Sequence, residues 1–128
     1  MRTSHSPRAA LGALALCAFG GLAAWTAFAA PPAKGNATAG KSIYDVKCVS
    51  CHKLDGTGGV ALGAGKTPNW TSAATWSDPK RKDMDAWLRK AITDGDLPKG
   101  MVPFVKSGQL TPSQVENLIA HIHGLAKR

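Results

Sequence analysis

Cys48-Val49-Ser50-Cys51-His52 is the stretch on which the reading of this chain turns. It matches C-x-x-C-H, the spacing used for covalent attachment of a c-type haem. The chemistry explains the spacing. Two thiols three residues apart can each add to one vinyl group of a porphyrin as thioethers. The adjacent histidine then lies under the ring, where an imidazole nitrogen can ligate iron. Other uses of such a pair carry requirements of their own. A thioredoxin-like redox pair needs a βαβ context, and no convincing β-run is present. A zinc half-site needs a second set of ligands, and His121 and His123 are spaced too closely for the usual histidine half. A structural disulfide is the remaining alternative.

The segment before the motif explains how such a group would be acquired. Arg2 and Arg8 precede residues 9–30, which carry no charge, and Ala27-Phe28-Ala29 closes that run with a small-x-small site. This is the layout of a secretory signal peptide over residues 1–29. It implies a periplasmic location, where haem of this type is attached in bacteria. The alternative is an uncleaved anchor holding the domain at the inner membrane, since about 20 apolar residues can span a bilayer. Cys17 follows Leu16 rather than a small residue, so lipid attachment there is disfavoured. Removing 29 of 128 residues leaves 99, and losing two arginines lowers the net charge from +8 to +6.

On both sides of the motif, periodicity is helical. Residues 30–37 show no pattern and are expected to be a flexible lead-in. Ile43, Tyr44 and Val46 suggest a helix from Thr38 to about Val49, capped by Thr38 or Asn36. Residues 55–82 read as a long loop carrying Trp70 and Trp76, and such loops usually wrap something. Met84, Trp87, Leu88, Ala91 and Ile92 recur at helical spacing, with Gly95 as a stop. A second loop, 96–110, holds Met101. Val115, Leu118, Ile119, Ile122 and Leu125 trace a final helical face, opened by Thr111-Pro112-Ser113-Gln114 as a capping box. The fold class is therefore all-α, with few large apolar side chains. A porphyrin would complete that thin core.

With Gly40 and Tyr44 before the motif, the Lys99-Gly100-Met101-Val102-Pro103-Phe104 loop behind it and a closing helix from Thr111, the chain resembles the class I (mitochondrial-type) cytochromes c in their small bacterial periplasmic monohaem form. The resemblance covers residues 38–126. It implies a 38–128 cytochrome domain of three to four short helices and long loops wrapped around one covalent haem c. Cys48 and Cys51 would form the thioethers and His52 would be the proximal iron ligand. Candidates for the distal ligand are Met84, Met101, His121 and His123; the family's axial methionine falls at Met101. A proline carbonyl that orients the axial histidine ring would come from Pro68. Trp70, Trp76 and Trp87 would line the haem or bond a propionate, with packing the expected role for Trp87. Where the family commonly has an aromatic residue on the last helix, this chain has His121, expected to pack on Gly40 and Tyr44.

Ligation by histidine and methionine raises the reduction potential and fills both axial positions. The resemblance thus implies an electron carrier rather than an enzyme, as a free shuttle or as the cytochrome subunit of a periplasmic dehydrogenase. The alternative is a haem protein with a dissociable sixth ligand, acting as a sensor or a peroxidase-like enzyme. Lys41, Lys47, Lys53, Lys66, Lys99 and Lys106 fall near the motif or the Met101 loop and would steer a redox partner with an acidic docking face. Lys80-Arg81-Lys82 is the only basic cluster, expected as a solvated helix start, and nucleic-acid binding is not implied. Gly59 to Thr67 only faintly resembles a phosphate-binding loop, since Val60 occupies a required glycine position. Asn36-Ala37-Thr38 and Asn69-Trp70-Thr71 fit a glycosylation pattern that is common by chance.

Overall fold

The computed structural model describes residues 34–126. The expected signal segment 1–29 and the first part of the lead-in lie outside the described residues. Helix α1 spans Ala37–Lys47, one residue earlier than expected. Asn36 is its cap, accepting from Ala39 N–H at 3.0 Å, while its own N–H donates to Asn117 Oδ1 at 2.7 Å. The end of the lead-in is therefore built into the fold. Cys48 N–H closes the helix on Tyr44 O, and α2 (Val49–His52) follows at once, so the haem motif forms its own helical turn.

Beyond it, the long loop is more structured than its composition suggested. Ala61–Leu62 (β1) and Gly65–Lys66 (β2) pair antiparallel, Ala61 opposite Lys66 and Leu62 opposite Gly65. Two residues per strand are too few for alternation to register; Gly63, at φ +46, makes the two-residue connection feasible. A single turn, α3 (Ala73–Trp76), and a 3-10 turn at Pro79–Arg81 lead into α4 (Met84–Asp94). Asp83 caps α4 through Ala86 N–H and Gly95 ends it at φ +70. After a 3-10 turn at Leu97–Lys99, α5 (Pro112–Leu125) opens with both bonds of the Thr111–Gln114 capping box formed. Among the described residues no helix is long and apolar enough to cross a membrane.

The core lies where α1 crosses α5, and the crossing is close because Gly40 carries no side chain. A Cβ there would sit 1.9 Å from Asn117 O. One turn on, Tyr44 meets His121 edge to face, ring centroids 5.0 Å apart, as the family resemblance implied. Both are buried, with Val115, Leu118, Ile119, Ile122 and Leu125 completing the α5 face. Leu88 and Ile92 bring α4 against it, and Arg89 grips Glu116 with two bonds of 2.6 and 2.9 Å. Met84, Trp87 and Met101 are only partly buried, although they belong to or pack against the same apolar cluster.

Candidate functional site

A cleft of about 670 Å³ opens beside this core, a size that suits a cofactor. Cys48, Cys51 and His52 form one wall. Thr67, Pro68 and Trp70 come from the long loop, Trp87, Leu88, Ala91 and Ile92 from α4, and Leu118 and Ile122 from α5. Met101 and Phe104 come from the loop before α5. The motif is held to its surroundings through its backbone. Thr67 Oγ1 donates to Cys51 O at 2.8 Å and accepts from Val60 N–H at 3.0 Å. Gly58 N–H donates to His52 O, and Tyr44 OH donates to Lys53 O at 3.0 Å. Tyr44 therefore belongs to the core and also anchors the chain just past the ligand.

The two thiols are both free, so the disulfide alternative is not realised. Burial, reinforced by the neighbouring Cys51, pushes the Cys48 thiol up to about 12. A redox-active C-x-x-C pair needs the opposite, a thiol poised to ionise. Burial lowers the pKa of His52, favouring the neutral imidazole, which has a lone pair to offer a metal. No cluster of three or more His, Cys, Asp or Glu is gathered among the described residues, which leaves a zinc half-site without its partners.

Of the four sequence candidates for the distal ligand, Met101 lines the cleft and the other three do not. Its backbone is pinned to Asp96 by a reciprocal pair, Asp96 N–H to Met101 O at 2.8 Å and Met101 N–H to Asp96 O at 3.0 Å. Gly95 permits this, since a Cβ there would lie 2.6 Å from Met101 O. Phe104 N–H then bonds Ile92 O, tying the loop back to α4. Met84 packs on the apolar cluster, His121 on Tyr44, and His123 Nε2 lies 2.5 Å from Asp85 Oδ1.

The expected bond from His52 to the Pro68 carbonyl is not made. Pro68 lines the cleft, but its carbonyl crowds Gly58, where a Cβ would lie 2.1 Å from that oxygen, and His52 Nδ1 is buried without a hydrogen-bond partner. Trp70 and Trp87 line the cleft; Trp76 does not, and instead donates from Nε1 to Trp70 O at 2.6 Å. Sequence reasoning missed Arg81. Its guanidinium lies 4.5 Å from the centre of the Trp87 ring and contributes to the cleft wall, instead of belonging to a solvated helix start. Nothing periodic in a loop marks such a residue. Of the lysines, Lys47, Lys66 and Lys99 reach the cleft, joined by Lys90. Lys41 and Lys106 do not, and pair with Asp45 and Asp94.

This donor set fits haem: apolar walls, two free thiols, a neutral imidazole, a thioether and a half-buried guanidinium suited to an acidic substituent. Comparison with known proteins agrees. The model of the family described as cytochrome c oxidase, cbb3-type, subunit III, matches residues 35–122. The chain is 33% identical over 94 residues to cytochrome c-555 of Chlorobaculum tepidum, covering 72% of this chain and 79% of that one. It is also 33% identical over 94 residues to cytochrome c-555 of Chlorobaculum thiosulfatiphilum, covering 99% of that protein. No solved structure matches the chain.

Proposed function

The chain belongs to the c-type cytochromes, in the family described as cytochrome c oxidase, cbb3-type, subunit III, and from that premise we propose that it carries single electrons in the periplasm on a haem c ligated by His52 and Met101. Haem c supplies a one-electron iron couple when bound. Cys48 and Cys51 hold it covalently, His52 offers a neutral imidazole, and Met101 offers a thioether that favours the reduced state. His52 and Met101 together would hold the iron from the chain's own side chains and would leave no site for oxygen or peroxide, which suits a carrier and not an enzyme. The observation that carries this reading is that Cys48, Cys51, His52 and Met101 all line one apolar cleft.

The mouth of that cleft suggests how a partner is met. Lys47, Lys66, Lys90 and Lys99 reach it, and Leu97 and Val102 are exposed in the loop that bears Met101. A redox partner with an acidic docking face would be steered by the lysines and seated on the apolar residues. The protein acts as a free shuttle or as the cytochrome subunit of a larger periplasmic oxidoreductase.

The test is spectroscopic. The purified protein retains a covalent pigment after denaturation, and its oxidised form has the sulfur-to-iron charge-transfer band of a methionine ligand. Met101→Ala abolishes that band, lowers the potential and lets the reduced protein bind carbon monoxide. A pigment lost on denaturation refutes the thioethers, and an unchanged Met101→Ala spectrum refutes the ligand.

A further inference from the structure

Met101 sits in a loop with little burial of its own. Leu97 before it and Val102 after it are 69% and 40% exposed, and segments with so little apolar cover open locally. The exit of the loop is tied to α4 by Phe104 N–H on Ile92 O at 3.0 Å. Its entrance, the 3-10 turn Leu97–Lys99, bonds mostly within the loop: Lys99 N–H to Asp96 O, Gly100 N–H to Leu97 O, and Lys99 Nζ to Asp96 Oδ2. Among the described residues, one hydrogen bond joins this turn to another segment. Ala64 N–H donates to Pro98 O at 2.9 Å.

Ala64 lies at the tip of the β1–β2 hairpin, and the base of that hairpin is rooted on the haem motif. There Thr67 N–H donates to Val60 O and Gly59 N–H to Thr67 O, both at 2.9 Å, while Thr67 Oγ1 donates to Cys51 O at 2.8 Å. The tip fits closely against the turn. A Cβ on Gly63 would lie 2.3 Å from Pro98 O, and one on Gly100 would lie 3.0 Å from Leu62 Cβ. Both glycines take left-handed backbone conformations, Gly63 at φ +46 and Gly100 at φ +77. One short element thus meets the segment bearing His52 at its base and the loop bearing Met101 at its tip.

From these contacts we propose that the β1–β2 hairpin is a strap that positions Met101, Gly63 and Ala64 gripping Pro98 so that the thioether stays turned to the cleft. This rests on the reading of Met101 as the distal iron ligand. With Cys51 O as its anchor, the strap sets the separation of the two ligand-bearing segments, which the exposed loop does not set for itself. When the grip on Pro98 fails, the loop opens and releases the thioether while α1, α4 and α5 stay packed.

The experiment compares two glycines of this element in the holoprotein. Gly63→Ala and Gly59→Ala each put a side chain on a left-handed backbone, at φ +46 and +75, but nothing lies within 4 Å of a Cβ on Gly59. Gly63→Ala should lose the methionine band at a temperature below that at which far-ultraviolet circular dichroism shows the helices unfolding. Its reduced form should bind carbon monoxide about tenfold faster than the parent, the scale on which overpacking shifts an opening equilibrium. Gly59→Ala should lose the band only together with its helices and bind carbon monoxide at the parental rate. Amide exchange in the unmutated holoprotein tests the same contact should Gly63→Ala fail to fold: the Ala64 amide is protected and exchanges in step with that of Met101. A Gly63→Ala protein that keeps the band until its helices unfold, an equal response in Gly59→Ala, or an Ala64 amide exchanging as fast as free peptide each overturn the strap. A parent protein without the methionine band overturns the ligand reading itself, and the strap with it.

Discussion

Two glycines in helices should respond to the same substitution with opposite signs. Gly40 lies in α1 at its crossing with α5, and Gly124 lies near the end of α5. In an exposed helical position, replacing glycine by alanine gains up to about 1 kcal/mol through reduced backbone freedom. Gly124 meets that condition, because a Cβ there touches nothing within 4 Å. At Gly40 the new methyl would lie 1.9 Å from Asn117 O and 3.0 Å from His121 Cβ. Ordinary van der Waals contact requires well over an ångström more, and the first obstacle is backbone, which cannot swing aside. The two helices must separate, loosening Tyr44 against His121 and the buried side chains beside them. Overpacking of this kind costs about 1–3 kcal/mol, and the overlap puts Gly40→Ala at the upper end. After the propensity gain is subtracted, a net loss of about 2 kcal/mol remains, a fall in Tm of order 10 °C for a domain this small. Guanidinium unfolding of the holoprotein, followed by far-ultraviolet circular dichroism, measures both variants against the parent. A Gly40→Ala protein as stable as the parent would refute the close crossing, as would shifts of the same sign at the two sites.

Three further outcomes follow from the charged groups. Reversing the two lysines at the cleft, Lys47→Glu with Lys66→Glu, should slow electron exchange with an acidic redox protein by about tenfold at low salt, with the rates converging as salt rises; stopped-flow rates independent of charge would remove the docking argument. Lys90 and Lys106 bond the Asp94 carboxylate and hold its pKa below the ordinary 3.8. A depressed carboxyl pKa stabilises the fold above the ordinary value, and that stability is lost as pH falls through the folded value. Asp94→Asn should therefore be less stable than the parent at neutral pH, with the gap closing as pH falls through the folded value and the carboxyl is neutralised; a pH-independent gap in thermal unfolding would contradict this. Arg89→Lys replaces a two-bond grip on Glu116 by a single point charge and should lower stability by up to about 1 kcal/mol, read as a shifted urea midpoint at unchanged slope.

The motif residues and the helical faces were legible in the chain because both are local. C-x-x-C-H states its chemistry through spacing alone. The α4 and α5 stripes are set by a period of 3.6, and one end of each by Gly95 and the Thr111–Gln114 box, within four residues of the positions they cap; the Asp83 cap of α4 was not anticipated, the helix start being expected at Lys80–Lys82 instead. The meeting of His121 with Gly40 and Tyr44 was expected from the resemblance to the class I cytochromes c, not from any local pattern. The two-residue β1–β2 pair, by contrast, is too short to leave a pattern.

Tertiary structure decided which of the eligible groups meet. Met84, Met101, His121 and His123 are equivalent as donors on paper; folding turns Met101 into the cleft and spends the others on packing or on Asp85. Arg81, outwardly one of three solvated cations, is drawn over Trp87. Pro68 reaches the site but leaves His52 Nδ1 unbonded, and the flat face beside that ring is Trp70, eighteen residues further along the chain. Sequence by itself determined the cofactor chemistry, because covalent attachment needs only neighbours in the chain. Which of the separated donors faces the cleft depends on distances between separate segments, which only the closed fold sets.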